Sequence, residues 1–557
     1  MVINETGGIM NNSDLNLDFP PPFRLEAPTF GKGRVGDGVD CMISASCKKQ
    51  PHPHPNLPLE GEGTQNSKLA HIPLKWDENL KNPLPFRERV RVGVGLCAAL
   101  LLTACTVGPD YVKPTPVETM PTAYKELKVW KVAQPDVGTI SERWWEIYND
   151  PALNALEEQV AISNLNVAVA EARFRQARAL VQAAKAGNFP TLTVGASATR
   201  SQSAANPGAG KSGGATTSLF QLPLDLTWEL DIWGKLRRGI EASQANVQAS
   251  AADLAAATLS AQAALAGNYF QLRVLDAQKQ LMDSTTAIYH TSLDMTNNRY
   301  AAGIAAKSDL LQAETQLRST EAQAIDLGIQ RAQLEHAIAL LIGKSPAAFS
   351  LPATALLSAV PPIPAGLPSE LLERRPDIAS SESRMVAANA QIGVAKAAYY
   401  PTIQLSATGG LSSSSLATLF AWPSRFWSVG PAASATLFDG GLRSAQSDQA
   451  RAIYDAAVAS YRETVLTAFQ GVEDNLAALR ILEEEAKVQD QAVKAAEQVV
   501  SITTNQYQAG TVAYLNVLAA QSTALANERA ALGIVGQRLA ASVLLVKALG
   551  GGWVAHR

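Results

Sequence analysis

Cysteine and histidine are scarce in this chain of 557 residues, and their positions exclude two common kinds of site. None of the four cysteines follows Cys105, so the rest of the chain has no disulfide framework. The six histidines are scattered, and no two of them have the spacing of metal ligands. The sequence therefore predicts neither a disulfide-stabilised fold nor a zinc site, and no metal is expected.

Neither sign of charge is in excess. The chain has 47 basic and 50 acidic residues, a formal net charge of −3, and no basic stripe. Nucleic acid is therefore not an expected partner. The sequence also lacks a nucleotide-binding loop and any pairing of a nucleophile with a base.

A short apolar run at residues 92–104 follows an arginine-rich segment, residues 87–91. The run is too short to span a bilayer, and its basic flank is typical of a secretory signal. It ends in Leu102-Thr103-Ala104-Cys105, which resembles the processing site of bacterial lipoproteins. We predict a signal peptide over residues 87–104 and a lipid on Cys105. The alternative is an ordinary cleavage site beside an unmodified cysteine.

Residues 1–86 are rich in proline and glycine and show no hydrophobic periodicity. They precede a signal of a kind that normally begins a chain. We expect them to be disordered or a non-native extension, with translation beginning near Leu84 or Val90. The intact mass of the mature protein tests this expectation.

The second half of the chain repeats the first at a fixed offset. Residues 298–303 (Asn-Arg-Tyr-Ala-Ala-Gly) return as residues 505–510 (Asn-Gln-Tyr-Gln-Ala-Gly). The same register pairs Gly234 with Gly441 and Gly343 with Gly550. A long repeat with almost no gaps predicts one structural unit built twice, over residues 105–370 and 371–557.

Each half contains two segments in which apolar and polar residues alternate. The alternation predicts strands at residues 191–199, 220–230, 402–408 and 427–437, separated within each half by glycine- and serine-rich loops at residues 201–217 and 409–415. Strands of about ten residues with aromatic ends are typical of a transmembrane β-barrel. A soluble β-sandwich would also alternate, but four strands beside so much helix cannot form its core.

Four strands are too few to close a barrel in a membrane. An open sheet edge in lipid leaves backbone groups unpaired at a cost of several kcal/mol each, and the smallest membrane barrels have about eight strands. The chain is therefore expected to contribute its strands to an oligomer.

Each half also contains a very long helix that folds back on itself. Residues 235–299 and 442–506 contain no proline, and at 1.5 Å per residue each segment would be about 100 Å long. Each is predicted to turn at a glycine, Gly303 or Gly510. A heptad on the second return predicts coiled-coil packing. Its members are Leu518, Leu525, Leu532, Leu539 and Val546.

Several short motifs occur in a fixed order along the predicted mature chain. They are residues 106–111 (Thr-Val-Gly-Pro-Asp-Tyr), Trp144-Trp145, residues 371–378 (Leu-Leu-Glu-Arg-Arg-Pro-Asp-Ile), residues 437–441 (Leu-Phe-Asp-Gly-Gly), and the turn sequences 505–510 and 514–518. Together they resemble the TolC superfamily of outer-membrane channels, in particular the OprM/NodT-type lipoprotein subunits of tripartite efflux pumps.

The resemblance implies a membrane α+β fold with an internal duplication. Three chains would form a twelve-stranded outer-membrane β-barrel, four strands per chain, continuous with a long α-helical coiled-coil tunnel in the periplasm. The homotrimer would be anchored by lipid in the outer membrane. Thr106, the residue after the lipid cysteine, also favours the outer membrane over the inner one. Its partners would be a periplasmic adaptor protein and an inner-membrane pump of the resistance-nodulation-division (RND) type.

The function implied is that of a passive conduit for small molecules, which is not an enzyme and takes no cofactor apart from the covalent lipid on Cys105. Two alternatives remain: a type I conduit for protein secretion, and a structural lipoprotein spacer of the outer membrane. The turns at Gly303 and Gly510 would contact the adaptor. Conductance in a planar bilayer distinguishes a channel from a spacer.

The resemblance also implies a gate at the periplasmic tip. Asp309 and Tyr507 stand where family members form a hydrogen bond between neighbouring hairpins. Asn516 and Ala519 replace the aspartates that narrow the family's entrance, and Val512 replaces a basic latch residue. A charged ring is therefore not expected at the tip.

The polar side of the second predicted strand carries Asp225, Glu229 and Asp231. If that side faces the lumen, three copies of each carboxylate would line one pore. Acidic rings favour cations, so the pattern predicts a cation-selective channel.

Overall fold

The structure is a computed structural model. It describes residues 106–116, 121, 123–126, 141–203, 216–354, 356, 360–363 and 370–553. The predicted signal and Cys105 therefore lie outside the described residues.

Three helices of each half match in length, whereas Pro151–Ser163 (13 residues) and Leu371–Arg374 (four residues) do not. The first half contains α1 (Pro151–Ser163), α2 (Leu165–Ala186), β1 (Thr191–Val194), β2 (Ser197–Gln202), β3 (Thr216–Leu230), α3 (Lys235–Ala301) and α4 (Lys307–Leu341). The second contains α5 (Leu371–Arg374), α6 (Pro376–Ala397), β4 (Thr402–Ser413), β5 (Arg425–Ser434), α7 (Leu442–Gln508) and α8 (Tyr514–Ala548). The long helices α3 and α7 have 67 residues each, and the return helices α4 and α8 have 35.

Both long helices begin at a glycine with a left-handed backbone. Gly234 has φ 79° and Gly441 has φ 92°, a conformation that glycine adopts without steric cost. Neither helix interior contains proline, so the hydrogen-bond ladder continues for about 100 Å. The helices end two residues beyond the predicted positions.

The strands form one antiparallel sheet in the order β1-β3-β4-β5, with β2 also paired to β3. The single strand predicted at residues 191–199 is wrong, because β1 and β2 are separate. They part opposite Pro223, which has no N–H to donate to the ladder. Its carbonyl still accepts from Gly195 N–H at 2.9 Å.

Other predicted strand boundaries are also wrong. β3 begins at Thr216 instead of 220, because its first residues pair with β2, and β5 begins at Arg425 instead of 427. β4 continues to Ser413 through most of the predicted loop at residues 409–415, because both its glycines pair with neighbouring strands. The last strand ends at Ser434 instead of 437, since its pairing with β4 stops at Thr402.

The pairing register gives the sheet one apolar face and one polar face. One row across four strands holds Leu192, Leu226, Ala407 and Val429, and the adjacent row holds Thr193, Asp225, Thr408 and Ser428. Apolar side chains on this sheet are exposed, with Leu192 at 61% and Val429 at 63%. Water-exposed apolar rows of this kind need a cover.

The main core lies midway along the helices, where segments outside the hairpins pack against α3. Trp144 and Tyr148 precede α1 and contact Phe270 and its neighbours on α3. Nearby, Asp276 of α3 binds two arginines, Arg273 at 3.0 Å and Arg331 of α4 at 2.7 Å. These arginines donate to the carbonyls of Pro352 and Leu351, which fixes the chain after α4 against both helices.

Each half closes at a glycine after its return helix. A Cβ on Gly343 (φ 68°) would lie 2.3 Å from the Ser163 carbonyl oxygen, and one on Gly550 (φ 95°) would lie 2.1 Å from that of Arg374. The return helix thus touches the end of a short helix in its own half. At the second closure, Arg375 also donates to the carbonyl of Ala548 at 2.7 Å.

One helix of the described chain, α8, is long and apolar enough to cross a membrane. It packs along α7 throughout, and it carries Glu528, Arg529 and Arg538. We interpret α8 as the coiled-coil partner that the heptad predicts.

Candidate functional site

The predicted pore acids occupy the last six residues of β3 and the link to α3. Asp225 accepts a hydrogen bond from the Thr408 hydroxyl at 2.7 Å, directly across the strand pair. Glu229 forms an ion pair with Lys235 at 3.1 Å. Both side chains lie on the polar face of the sheet.

Asp231 caps the start of α3. Its carboxylate accepts from the N–H groups of Leu236 and Arg237, each at 2.9 Å, and from the Arg237 guanidinium. Carboxylates are stabilised at helix N-termini by these free donors and by the helix dipole. Among the residues that the structure describes, Asp225 alone of the three acids has no ion pair.

The second half has the same kind of junction. Asp439 accepts from the N–H groups of Gly441 and Arg443 and from the Arg443 guanidinium at 2.6 Å. The Arg443 guanidinium holds the pKa of the Asp439 carboxyl below its ordinary value. Each strand-to-helix corner therefore combines an aspartate, a left-handed glycine and an arginine.

The residues that follow Cys105 lie at the first of these corners. Val107 N–H donates to the Trp233 carbonyl at 3.2 Å, and Asp110 pairs with Arg238 at 2.7 Å. A Cβ on Gly108 would lie 2.6 Å from the Gly393 Cα, so this segment contacts α6 directly. The predicted lipid site thus adjoins a segment held at the end of the sheet.

The two hairpin turns are built alike. Gly303 has φ 77° and Gly510 has φ 76°. The next N–H in each turn bonds back across the helix end, from Ile304 to Arg299 at 2.8 Å and from Thr511 to Gln506 at 2.9 Å. This is the Schellman arrangement that terminates a helix at glycine.

Tyr507 joins the two turns of one chain. Its ring is buried with Tyr514 and Val517, and the centroids of the two tyrosine rings are 5.4 Å apart. Arg299, on the other hairpin, lies over the Tyr507 ring at 4.8 Å and donates to the Gln508 carbonyl at 3.1 Å. A cation over an aromatic face is attracted by the ring quadrupole, so this contact holds the hairpins together.

The structure does not join Asp309 and Tyr507 by a hydrogen bond within one chain. The Tyr507 hydroxyl is buried and has no hydrogen-bond partner in the described part of the chain, because its ring packs beneath Arg299 and against Tyr514. Asp309 is half-buried near the start of α4. Burial, followed by smaller effects of neighbouring phenols and Asp309, raises the pKa of Tyr514 to about 12.

Asn516 is exposed near the start of α8. With Ala496, Ala519 and Thr523 it lines a shallow groove of about 290 Å³ between α7 and α8. Val512 packs against the tyrosine cluster. These side chains supply no charge at the tip.

Arg299 is the tip residue that sequence reasoning missed. The repeat aligns it with Gln506, so a cation replaces a neutral side chain within a matching segment. That departure was the available signal, but its meaning depends on the contact between hairpins.

The comparisons with known proteins point to one family. The family profile described as outer membrane efflux protein matches residues 156–344 and 367–551. The toluene efflux pump outer membrane protein TtgC of Pseudomonas putida is 30% identical over 459 residues, 82% of this chain and 94% of TtgC. The cation efflux system protein CusC of Escherichia coli is 29% identical, covering 82% and 98%.

A solved structure has the same fold. The outer-membrane channel OprN superposes with a TM-score of 0.75 at 32% sequence identity, covering 81% of this chain and all of that one. The resemblance to TolC-type channels is thereby confirmed. The chain belongs to the outer membrane efflux protein family and is an outer-membrane efflux channel subunit.

Proposed function

We propose that three copies of this chain form a passive conduit across the outer membrane and into the periplasm. The observation that carries the proposal is the open sheet. Its outer strands, β1/β2 on one side and β5 on the other, have no further partner among the described strands, and one sheet face is apolar and exposed. Closure with two other copies pairs both edges and turns the apolar face to lipid.

Three copies supply twelve strand positions, because β1 and β2 occupy successive parts of one position beside β3. Six hairpins from the same three copies would form the tunnel, each built from a 67-residue and a 35-residue helix. The matched helix lengths and paired corners support an internal duplication as the origin of this arrangement.

The conduit itself performs no chemistry in this proposal, and an inner-membrane pump supplies the energy. A periplasmic adaptor would contact the turns at Gly303 and Gly510, whose surroundings are open. The pump would be of the RND type and the cargo small molecules. The efflux names of TtgC and CusC support this assignment over protein secretion and over a spacer.

Lipid on Cys105 would add a second anchor to the barrel. Each buried CH₂ of an acyl chain contributes about 0.8 kcal/mol to membrane binding. Metabolic labelling with radioactive palmitate is expected to mark the protein, and Cys105→Ala with a replacement signal is expected to remove the label while leaving insertion possible.

The test of the conduit uses the purified full-length protein. Light scattering is expected to give the mass of three copies, and planar bilayers are expected to show discrete single-channel conductance. A monomeric mass, or a trimer without conductance, would contradict the proposal; the latter result would support a spacer.

Ion selectivity tests the position of the acidic face. We expect cation selectivity, and neutralising Asp225, Glu229 and Asp231 together should reduce it, because each substitution removes one negative charge from every chain. Reversal potentials in a salt gradient measure this. Anion selectivity in the unmodified channel would place the acidic face outside the pore.

A further inference from the structure

Charge is almost absent from the apolar face of the sheet, and where it occurs it is positive. The pairing register places Arg200 of β2 and Arg425 of β5 on this face, in the same alternation as Ala198 and Leu411. Among the described strand residues, these arginines are the only charged side chains on the apolar face, and both lie in the half of the sheet farther from the helices.

No carboxylate is available to balance these cations along the chain around them. Residues 197–222, which include β2 and the first part of β3, contain no aspartate or glutamate. The whole β4–β5 hairpin, residues 402–434, contains one charged side chain, that of Arg425. The end of the apolar face opposite to the helices, called here the far end, is therefore positively charged.

The guanidinium of Arg425 is oriented by an aromatic ring. It lies over the Trp422 ring, 3.7 Å from the ring centroid, and it is exposed. Within the described part of the chain it forms no ion pair. Stacking uses the flat face of a guanidinium, whereas its N–H donors lie in its plane. The contact with Trp422 therefore positions Arg425 and leaves its donors free to bind an anion.

The loop between β4 and β5 holds aromatic side chains in water at the same place. The Ser424 hydroxyl donates to the Thr418 carbonyl at 2.7 Å, which closes the loop. Trp422 in the loop is 76% exposed, and Trp427, two residues along the apolar face from Arg425, is 79% exposed. Tryptophans at the end of an apolar barrel surface are typical of the boundary between lipid tails and headgroups.

The length of β5 places Arg425 at the same boundary. The strand has ten residues, Arg425–Ser434, so it is about 30 Å long at about 3.3 Å per residue. With a tilt of about 40° it spans about 23 Å, close to the apolar band of about 25 Å in outer-membrane barrels. This inference rests on the proposed function, in which the helices occupy the periplasm and the far end of the sheet therefore lies in the outer leaflet.

We propose that Arg425 and Trp422 bind a phosphate group of an outer-leaflet lipid. The guanidinium donates two N–H groups to the phosphate oxygens, the paired geometry that makes arginine a strong phosphate ligand. A lipid fits better than free phosphate because Trp427 and Val429 continue the apolar face directly beside Arg425 and would contact the acyl chains. The site thus ties each chain to a particular lipid at the rim of the barrel.

The test is native mass spectrometry of the purified full-length protein in detergent, titrated with diphosphoryl lipid A. We expect saturable binding of one lipid per chain, and at least tenfold weaker binding of dephosphorylated lipid A. Inorganic phosphate in excess is expected not to displace the lipid. Arg425→Gln should weaken lipid A binding about tenfold, and Arg425→Lys should weaken it less, because the charge remains although the paired donors are lost.

The control variant is Arg462→Gln, which removes an exposed cation from α7 about 30 Å beyond the start of that helix and should leave binding unchanged. Equal binding of dephosphorylated lipid A, displacement by inorganic phosphate, or unchanged binding by Arg425→Gln would overturn the proposal. The comparison of the two lipids uses the unmodified protein, so it decides the matter even if a variant fails to fold.

The same spectra give the mass of the oligomer, which separates this proposal from the conduit. A conducting trimer that does not distinguish the two lipids overturns the lipid site alone. A monomeric mass contradicts the conduit, and with it the outer-leaflet position of Arg425.

Discussion

The two long helices, α3 and α7, have the same length and the same kind of corner and turn, but their surroundings differ. α3 has more than twice as many buried residues as α7. It packs against α2, α4, α6 and α8, whereas α7 packs mainly against α6 and α8. On α7 the side chains of Ile481, Val488 and Ile502 remain 51%, 67% and 56% exposed.

The difference shows how two similar units in one chain come to differ in their surroundings. The first copy has neighbours from both halves, while the second has one free side. In the proposed trimer, that free side is where a helix from the next subunit would pack. On the other flank of the chain, Ile325 and Ile329 of α4 are exposed at 76% and 59%, which provides a matching apolar face.

The largest effect is expected from charging the free side of α7. Ile481→Glu with Val488→Glu places two carboxylates on one helical face, seven residues apart. Burying them unpaired between subunits costs several kcal/mol each, so the trimer should not form. Light scattering measures this. Glu484→Ala, on the same helix, is the control, and a stable trimer in the charged variant would mean that this face stays in water.

The next effect compares the arginines that anchor each half. Arg273 and its repeat equivalent Arg480 both hold a segment outside the hairpins, but the Arg273–Asp276 pair is buried and the Arg480–Glu126 pair is partly exposed. Asp276→Ala leaves the buried Arg273 without a carboxylate partner, whereas the partly exposed Arg331 keeps Glu335, and the loss should cost about 3–5 kcal/mol. Glu126→Ala should cost about 1 kcal/mol or less.

The rate of amide hydrogen exchange in the two anchored segments, residues 349–353 and 124–126, measures how far each segment is released when its ion pair is removed. The Asp276 variant should accelerate exchange in the first segment far more than the Glu126 variant does in the second. Equal acceleration would mean that burial does not distinguish the two anchors.

A third effect is expected in α1, where the two halves differ. α1 has 13 residues, whereas α5, the helix at the corresponding place before α6, has four. Glu157 in α1 is fully buried, both its carboxylate oxygens lack partners, and burial raises its pKa to about 9. The folded protein therefore binds a proton that the unfolded chain, with a pKa near 4.5, releases. The contribution of Glu157 to the free energy of unfolding is therefore fully present below pH 4.5 and is lost as the pH rises towards 9.

Glu157→Gln should remove this dependence and raise stability at pH 8 by a few kcal/mol, since each pKa unit corresponds to about 1.4 kcal/mol. Thermal unfolding between pH 6 and 9 measures the slope in both proteins. The same slope in the variant would show that Glu157 is ionised in the folded state.

The smallest effect is expected at the tip, where exposure to solvent weakens each contact. Arg299→Ala removes the cation over Tyr507, worth about 0.5–1 kcal/mol per chain, and should raise single-channel conductance modestly. Arg299→Lys keeps the charge and is the control. Tyr507→Phe keeps the ring and should preserve this contact.

Tyr507→Phe with Asp309→Ala tests the hydrogen bond predicted between neighbouring hairpins. The Tyr507 hydroxyl has no hydrogen-bond partner among the described residues, so an acceptor from another chain could bind it. We expect higher conductance with the trimer intact. If only the Arg299 variant opens the channel, the cation–π contact is the closure; if only the double variant does, the hydrogen bond is.

Sequence predicted the parts of this molecule that depend on periodicity. The long helices, their glycine turns and the alternating strands follow from spacings within one segment. The break between β1 and β2 does not, because Pro223 interrupts a ladder only through the strand that pairs with it. Similarly, the sequence does not distinguish Asp225, Glu229 and Asp231. In the fold, the start of α3 brings Lys235 to Glu229 and Arg237 to Asp231, and Asp225 receives no such partner. The contact of Arg299 with Tyr507 joins residues 208 positions apart, so it could be recognised only from the packing of the two hairpins.

The closing glycines, Gly343 and Gly550, have a consequence for how the chain can be divided. Each return helix meets the end of a short helix from its own half, at Ser163 or Arg374, with no room for a side chain. A backbone cut between Thr354 and Glu370 would leave both closures within single fragments. The two halves are thus suited to fragment complementation, as separately made pieces that reassociate along α3, α6 and α8.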